Sequence, residues 1–351
     1  MAEEGRVIID GSFGEGGGQI LRTAVALSVV SGKPTQVVNI RAGRSIPGLR
    51  PQHLSAIRTL AELFSAHTEG LHLGSRSIYF SPRKQARTTL DLDIGTAGSI
   101  TLLLQAVIPS VSLTGGEASV QLSGGTDVRG GPTMDYMRHV MFTAYQRLGI
   151  NVEVEVVRRG YYPKGGGIVK ALVRPRRETP PFQAVGRAPV PTVSILSVCG
   201  KLPRSVAERQ ATECEGYLSS RQLQLASVEA RVEDAISPGT SIVAFAGGET
   251  SLIGGDSIGE RGKPAEVVGR EAAERFFEEH RSGAPIDSHL ADMIVPILAC
   301  TPGESRFHTS KITGHLRTNL HVASLFTSCQ YETRDSPEGG IEIAIHGQRP
   351  S

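Results

Sequence analysis

The stretch DGSFGEGGGQILR, residues 10–22, joins a predicted strand to a predicted helix. The β-branched run RVIID before it is typical of a buried strand, and ILRTAVALSVVSG after it has a helical pattern that stops at Gly32. Glycines at such a joint leave main-chain N–H groups of the helix N-terminus open to an anion, most often a phosphate. The stretch matches neither the Walker pattern nor G-x-G-x-x-G, because Gln19 and Ile20 follow the last glycine.

Two interpretations of this loop stay open on the pattern alone. The glycines can serve only a tight turn between a strand and a helix. Glu15 favours the other interpretation, because a lone acid among phosphate-binding donors suits a divalent cation that arrives with the phosphate.

A unit of order βαβαββ recurs along the chain. The first copy is predicted to have strands 6–10, 36–41, 68–73 and 77–82 and helices 19–31 and 52–66. The second has strands 89–94, 117–122, 151–158 and 167–174 and helices 98–108 and 131–148. The third has helices 288–299 and 315–326 and strands 304–309, 328–333 and 340–346, with no first strand immediately upstream.

Residues 186–282 interrupt the third copy with a βαββα pattern of their own, behind the proline-rich lead-in RPRRETPPF. We therefore predict an α+β fold in which a smaller α/β domain, residues 186–282, is inserted into a large domain. Residues 1–185 would carry repeats one and two of that large domain, and residues 283–346 the third repeat.

The composition narrows the class of protein. A length of 351 residues favours two domains, and a net charge of +2 argues against a grossly basic tail. Thirty of the thirty-seven basic residues are arginine, the bidentate partner of phosphate oxygens. The four cysteines are widely spaced and predict neither a zinc site nor a disulfide framework. With no export signal and no membrane span in the pattern, we predict a cytoplasmic protein.

Helix-start turns in the repeats are expected to meet at one cleft. Any one cationic side chain near these turns is as well explained by a solvated surface charge. Taken together with the glycine turns they predict a polyanion site: Arg22, Arg41, Arg44, Arg50, Arg129, Lys311 and Arg317. Among ten histidines, His315 in GHLRTN lies at such a turn. A neutral imidazole beside fixed cations is a competent nucleophile toward phosphorus, although a structural histidine stays open on spacing alone.

Seven motifs together resemble the RNA 3'-terminal phosphate cyclase family. They are DGSFGEGGGQILR, NIRAGRSIPGLRPQHL, IGTAGSITLLLQ, SGGTDVRGGP, YYPKGGG, DSHLADM and GHLRTN, from about residue 6 to residue 346. The resemblance implies an enolpyruvyl-transferase-like large domain of three repeats with a small domain inserted in the third. It also implies that ATP, with a divalent metal (Mg or Mn), adenylylates a histidine. AMP then passes to an RNA 3'-phosphate, and the 2'-hydroxyl closes a 2',3'-cyclic phosphate.

The resemblance assigns roles to particular residues. His315 falls on the family nucleophile, and Glu15 on the acid that faces the metal and the triphosphate. The positions implied to bind ATP are Gln105, Pro132, His289, Leu290, Ala291, Asp292 and Met293, although the family can have Tyr and Gln where this chain has His289 and Met293. The positions implied to bind phosphate and the RNA end are Arg22, Arg41, Arg44 and Gln52.

Three functions follow as hypotheses. The first is the cyclase, acting on RNA with a 3'-terminal phosphate. The second is a cyclase-like binding factor for ribosome biogenesis, which the histidine of GHLRTN disfavours. The third is an enolpyruvyl-type transferase, on fold analogy alone. Few aromatics and no tryptophan predict recognition of the RNA end through phosphate more than through base stacking. The sequence does not fix the oligomeric state.

Overall fold

The computed structural model describes residues 5–186, 192–248, 251–336 and 339–349. The first repeat comprises β1 (Val7–Asp10), α1 (Gly18–Ser31), β2 (Thr35–Val38), α2 (Pro51–Leu63), β3 (His67–Glu69) and β4 (Ile78–Ser81). The second comprises β5 (Thr89–Asp93), α3 (Ile100–Leu113), β6 (Ala118–Gly124), a helix made of α4 (Met134–Tyr136), a π-helical turn (Met137–Met141) and α5 (Phe142–Arg147), then β7 (Val152–Arg158) and β8 (Gly167–Val173).

The third repeat is split by the insertion. Its first strand is β9 (Gln183–Ala184), and the inserted unit follows with β10 (Val193–Gly200), α6 (Arg204–Ser219), β11 (Leu225–Val232), β12 (Gly239–Gly247), β13 (Leu252–Ile258) and α7 (Ala265–Ser282). The repeat then resumes with α8 (Ser288–Ala299), β14 (Gly303–Thr309), α9 (Gly314–Thr327), β15 (Gln330–Asp335) and β16 (Ile341–Gly347).

The three repeats share one strand order. Their sheets run β1-β2-β4-β3, β5-β6-β8-β7 and β9-β14-β16-β15, with the first pair parallel and the other two pairs antiparallel in each. The inserted sheet runs β11-β10-β12-β13. The α+β architecture of three βαβαββ units with an insertion is therefore confirmed.

Three local features differ from the sequence prediction. The first strand of the third repeat is β9, which lies ahead of the insertion and pairs Gln183 with Arg306; two residues are too few to give a pattern. Strand β13 was not predicted, because Gly254 and Gly255 interrupt its apolar run. Those glycines have a packing reason, since a Cβ on Gly254 would lie 2.8 Å from Tyr136 Cε2. The helix predicted over 131–148 begins at Met134 and contains the π-helical turn.

Helices from all three repeats form the centre of the molecule. Helix α1 packs against α2, α3 and α9, and α8 packs against α3 and α9. One hydrophobic cluster extends through the three repeats, while the inserted unit has its own cluster, with Phe276 among its fully buried members. The domain limits at residues 185 and 283 stay a prediction. No helix in the described ranges has both the length and the apolar character that a bilayer crossing needs.

Candidate active site

The glycine loop of the first repeat lies against the start of α9 in the third repeat. Gly14 has a φ of +64°, and a Cβ there would lie 2.5 Å from Thr318 Oγ1. A Cβ on Gly314 would overlap Glu15 Oε1. Glycine is favoured at Gly14 by its positive φ, and at Gly314 because a side chain there would displace Glu15 from its position. Phe13 adds a second contact, stacking on His321 of α9 with ring centroids 4.1 Å apart.

This contact places His315 beside Glu15. His315 is the second residue of α9, whose start is capped by Thr313 Oγ1 accepting from Leu316 N at 2.9 Å. His315 Nε2 lies 3.2 Å from Glu15 Oε2, and its Nδ1 lies 3.8 Å from Asp292 Oδ2. Its side chain is 44% exposed. Burial lowers the pKa of His315 below 6.5, with Glu15 opposing the shift and Arg22 adding to it, so the imidazole is neutral at neutral pH.

Asp292 and Arg22 form the buried floor beneath His315. Burial raises the pKa of Asp292 to about 8 despite the nearby Arg22 cation, so this carboxyl is largely protonated at neutral pH. Burial also lowers the pKa of Arg22 to about 10, which leaves it charged. Asn319 ties the floor together, since its Nδ2 donates to the Asp292 carbonyl at 2.7 Å and its Oδ1 accepts from Thr23 Oγ1 at 2.6 Å.

A cavity of about 20 Å³ lies among α1, α3 and α8. It is the size of a water molecule and too small for a purine. Gln105, Asp292 and Met293, three of the residues implied to bind ATP, line it together with Arg22. Arg22 Nε is buried and has no hydrogen-bond partner within the described part of the chain, so the cavity wall carries a free donor.

The remaining residues implied to bind ATP divide into two groups. His289 is exposed and Pro132 is partly exposed. The Pro132 carbonyl accepts a hydrogen bond from Thr101 Oγ1 at 3.0 Å, and Thr101 lies one turn before Gln105 in α3. Leu290 and Ala291 are wholly buried in the hydrophobic cluster. Their backbone N–H groups both donate to Asp287, so these two residues support the start of α8 and face the core.

The first-repeat arginines have different partners. Arg44 Nη2 donates to the Glu15 carbonyl at 2.9 Å and lies 3.9 Å from Glu15 Oε2. Arg41 Nη1 instead donates to the Ile46 carbonyl at 2.8 Å, which braces its own loop. Burial lowers the pKa of Arg41, and the neighbouring Arg50 and Arg44 lower it further, so like charges are held close together here.

The remaining predicted residues lie farther from the Glu15 loop or at its edge. Arg129 forms an ion pair with Glu260 of the inserted unit at 2.5 Å, so its charge is compensated away from the Glu15 loop. Gln52, the second residue of α2, is exposed, and its Cβ lies 3.6 Å from the place a Cβ on Gly98 would occupy. Gln52 therefore joins the first repeat to the helix-start turn of the second. Lys311 and Arg317 are exposed near His315.

His53 is a site neighbour that the sequence left ambiguous. It is buried, and its Nδ1 accepts from Arg50 N at 3.1 Å, which leaves the proton on Nε2. Burial, with Arg22, Arg41 and Arg50 nearby, lowers the pKa of His53 to about 3. A Cβ on Gly18 would overlap His53 Nε2, so the ring closes one side of the glycine loop. No sequence signal separates this histidine from the others.

Glu15 and Asp292 are the acids at this site that could contact a metal ion. Within the residues that the structure describes, no group of three or more His, Cys, Asp or Glu side chains is arranged to hold a metal ion. Glu15 is half-exposed at the glycine loop, whereas Asp292 is buried and largely protonated. This donor set suits a cation that arrives already bound to phosphate oxygens better than a resident one.

The fold and this site define a class of protein: an α+β repeat protein in which a half-exposed histidine faces an acid and arginines at a glycine-rich loop. The family model for RNA 3'-terminal phosphate cyclase matches residues 13–333. Proteins named RNA 3'-terminal phosphate cyclase are 42% identical in Pyrococcus abyssi, over 91% of this chain and 93% of that one, and 46% identical in Ignicoccus hospitalis, over 97% and 96%. The chain belongs to the RNA 3'-terminal phosphate cyclase family, a family of enzymes.

A solved structure also aligns with the chain. The enolpyruvyl transferase NikO from Streptomyces tendae superposes with a TM-score of 0.39 and 12% sequence identity, over 99% of this chain and 49% of that one.

Proposed function

We propose that this protein is an ATP-dependent RNA 3'-terminal phosphate cyclase that acts through a covalent histidine–AMP. A nitrogen of His315 bonds to the α-phosphorus of ATP as the bond to pyrophosphate breaks. The RNA 3'-phosphate then displaces the histidine and takes AMP. Finally the vicinal 2'-hydroxyl attacks the terminal phosphorus, loses its proton and expels AMP, which leaves a 2',3'-cyclic phosphate. The observation that supports this most is the approach of His315 Nε2 to Glu15 at the mouth of an anion-binding loop.

Nε2 is the nitrogen we assign to the attack. It faces the glycine loop, where the triphosphate would lie, while Nδ1 faces the buried Asp292. The lowered pKa keeps the imidazole neutral, so one ring nitrogen has a lone pair at neutral pH, and attack by Nε2 requires the ring proton to be on Nδ1. The position of His315 in the first turn of α9 acts in the same direction, because the positive end of a helix dipole disfavours a protonated ring.

The triphosphate would be held by backbone and arginine donors. The N-terminus of α1 follows the glycine loop directly, so its free N–H groups point toward the loop mouth. Arg44 donates a hydrogen bond to the Glu15 carbonyl at the end of this loop, and Arg41 is close to Arg44. Glu15 would bind the Mg²⁺ or Mn²⁺ ion that accompanies ATP, and that ion would neutralise charge on the departing pyrophosphate.

The adenine would lie over the small cavity rather than in it. Its rim would be Pro132 and the exposed ring of His289, with the side chains of Gln105 and Met293 below. Among the described residues the Gln105 amide has only the Met137 sulfur as a partner, at 4.0 Å, so it would be available to a base edge. The RNA 3'-phosphate would be held beside His315 by Arg41 and Arg44 after pyrophosphate has left, with Gln52 at the edge.

The substrate supplies the last nucleophile itself. A 2'-hydroxyl belongs to RNA and is absent from DNA, so a DNA end with a 3'-phosphate should accept AMP and stop there. A cytoplasmic location suits the four cysteines, which are all buried and unpaired.

Labelled ATP tests the proposal. With ATP labelled at the α-phosphate the protein should become labelled, and with ATP labelled at the γ-phosphate it should not. Added RNA with a 3'-phosphate should remove the label and gain a phosphatase-resistant end, whereas RNA with a 3'-hydroxyl should do neither. A binding factor or an enolpyruvyl transferase would show no labelling under any of these conditions, and that result would refute the cyclase.

A further inference from the structure

The YYPKGGG motif forms a loop between β7 and β8 with a fixed base and a projecting tip. Tyr161 and Gly165 are buried, and Gly165 N donates to the Tyr161 carbonyl at 2.8 Å, which closes the base. The three residues between them are exposed, and Tyr162 is 78% exposed, the highest value among the large hydrophobic side chains described. We call residues 162–164 the tyrosine tip.

The base of this loop is wedged between two parts of the molecule. Gly165 has a φ of +65°, and a Cβ there would lie 2.8 Å from Ala97 Cα in the helix-start turn of the second repeat. Tyr161 packs its ring against Gly239 of the inserted unit, where no Cβ could fit. Since the base is held on both sides, the tip is presented outward at a fixed place instead of folding back onto the core.

Neighbouring segments connect the base of the tyrosine tip to the candidate active site. Ala97, beneath the tip, adjoins Gly98, and Gly98 lies against Gln52 at the start of α2. His53, the next residue, closes the glycine loop that contacts the start of α9. A series of adjacent segments therefore leads from His315 through the glycine loop, the start of α2 and the helix-start turn of the second repeat to the tip.

The chemistry of the tip suits a nucleic acid strand. The Tyr162 ring makes no stacking or cation contact with other described residues, so both faces are available. Lys164 forms no ion pair within the described ranges, so its charge is uncompensated. An exposed aromatic ring beside a free cation is the combination that binds single-stranded RNA, the ring by stacking on a base and the cation by pairing with a phosphate.

We propose that the tyrosine tip is a second RNA-binding site, for the strand upstream of the 3'-terminal phosphate. Tyr162 stacks on one base, and Lys164 pairs with a backbone phosphate near it. The proposal rests on the proposed function, because that function places the RNA end at His315. A partner protein at the tip would be a different interaction, and the test below separates the two.

The test compares substrates that reach the tip with a substrate that does not. Tyr162→Ala should weaken binding of an oligoadenylate of about ten nucleotides with a 3'-phosphate by roughly 5-fold or more, the effect of losing one stacked base. Tyr162→Phe should bind like the unchanged protein, since it keeps the ring. Adenosine 3'-phosphate should be bound equally by all three. Tyr331→Ala, at a partly exposed tyrosine of β15, is the matched control and should bind normally.

An abasic scan locates the stacked base. One abasic position should weaken binding by the unchanged protein but not by Tyr162→Ala, because the two changes remove the same contact. Lys164→Ala should reduce the slope of log affinity against log salt by about 0.7, the value for one phosphate contact on a single strand.

Binding measured by fluorescence anisotropy needs no catalysis, so its outcome is separate from that of ATP labelling. If Tyr162→Ala binds the long RNA normally, if no abasic position distinguishes it from the unchanged protein, or if it loses adenosine 3'-phosphate equally, the tip is not an RNA site. If Tyr162→Ala instead changes the rate of self-labelling with ATP alone, the tyrosine tip contributes to the nucleotide site and the proposal is wrong.

Discussion

Two histidines occupy nearly the same place in the repeat and have opposite surroundings. His53 is the third residue of α2 and His315 the second residue of α9, and these are the second helices of the first and third repeats. Burial is the largest cause of a lowered pKa in both. Burial therefore favours a neutral ring in both histidines. A neutral ring alone does not identify the nucleophile.

The difference lies in what faces each ring. His53 is 3% exposed, its Nδ1 accepts a hydrogen bond from Arg50 N, and Gly18 lies against its Nε2. Burial lowers its pKa to about 3, and the cations around it add to that shift. His315 is half-exposed and has Glu15 at 3.2 Å, which opposes the downward shift. The repeat supplies the position, and the neighbouring segment decides whether the histidine supports the loop or is open to a substrate.

Loss of the exposed histidine should have the largest effect. We expect His315→Asn to reduce labelling by ATP at least about 1,000-fold, because an amide cannot replace the nucleophilic nitrogen. The chain should remain folded, since the side chain is half-exposed. Labelling by α-labelled ATP is the measurement, with His346→Asn, at an exposed histidine of β16, as control. Full labelling of His315→Asn would show that His315 is not the nucleophile.

Removal of Glu15, the acid that faces His315 but not His53, should have the second-largest effect on labelling. We expect Glu15→Ala to slow labelling roughly 100-fold, because the cation that accompanies ATP loses its protein ligand as pyrophosphate leaves. Cyclisation of RNA that already carries AMP should be much less affected, since no pyrophosphate leaves in that step. Glu332→Ala, at an exposed acid of β15, is the control. An equal defect with pre-adenylylated RNA would remove the proposed role.

The buried histidine can be tested through its glycine neighbour. Gly18→Ala would overlap His53 Nε2, and we expect it to lower the free energy of unfolding by about 1–3 kcal/mol. Gly216→Ala, at an exposed helical glycine with open space around it, should raise it by about 0.5–1 kcal/mol. Urea unfolding measures both. If Gly18→Ala costs as much when combined with His53→Ala, the packing of His53 on the loop is not the cause.

The smallest expected effect is on pH dependence. Since the His315 pKa is lowered, the loss of labelling on the acid side should have its midpoint below pH 6.5. Glu15 favours the protonated ring, so Glu15→Gln should move that midpoint to lower pH still. The rate of self-labelling between pH 5 and 8 measures both midpoints. A midpoint above 6.5, or a shift upward in Glu15→Gln, contradicts the electrostatic description of the site.

Much of the fold could be predicted because its information is local. Hydrophobic period and glycine turns gave the repeat, and all three repeats have the same strand order. The two strands that were not predicted have physical causes. Strand β9 has only two residues and is recognised only through its pairing with β14. Strand β13 contains glycines that break its apolar pattern, and Gly254 is there because it packs on Tyr136. Neither cause is visible in a sequence window.

The site was predicted less completely, because partners there come from distant parts of the chain. The loop motif and GHLRTN indicated Glu15 and His315, but nothing local shows that they lie 3.2 Å apart. Side-chain direction was also hidden. Leu290 and Ala291 share a motif with Asp292 yet face the core, and Arg129 pairs with Glu260 across 131 residues. Burial and pairing depend on tertiary contacts, which a spacing pattern does not record.

The measurement that tests the central claim most directly is the mapping of the covalent adduct. Cleavage after Lys311 and Arg317 releases the peptide ITGHLR, residues 312–317, with His315 as its only histidine. After incubation with ATP, mass spectrometry under alkaline conditions should find one AMP group on this peptide, and acid should remove it, as expected for a phosphorus–nitrogen bond. An adduct on any other peptide, or an unmodified chain under conditions in which RNA is cyclised, would contradict the account.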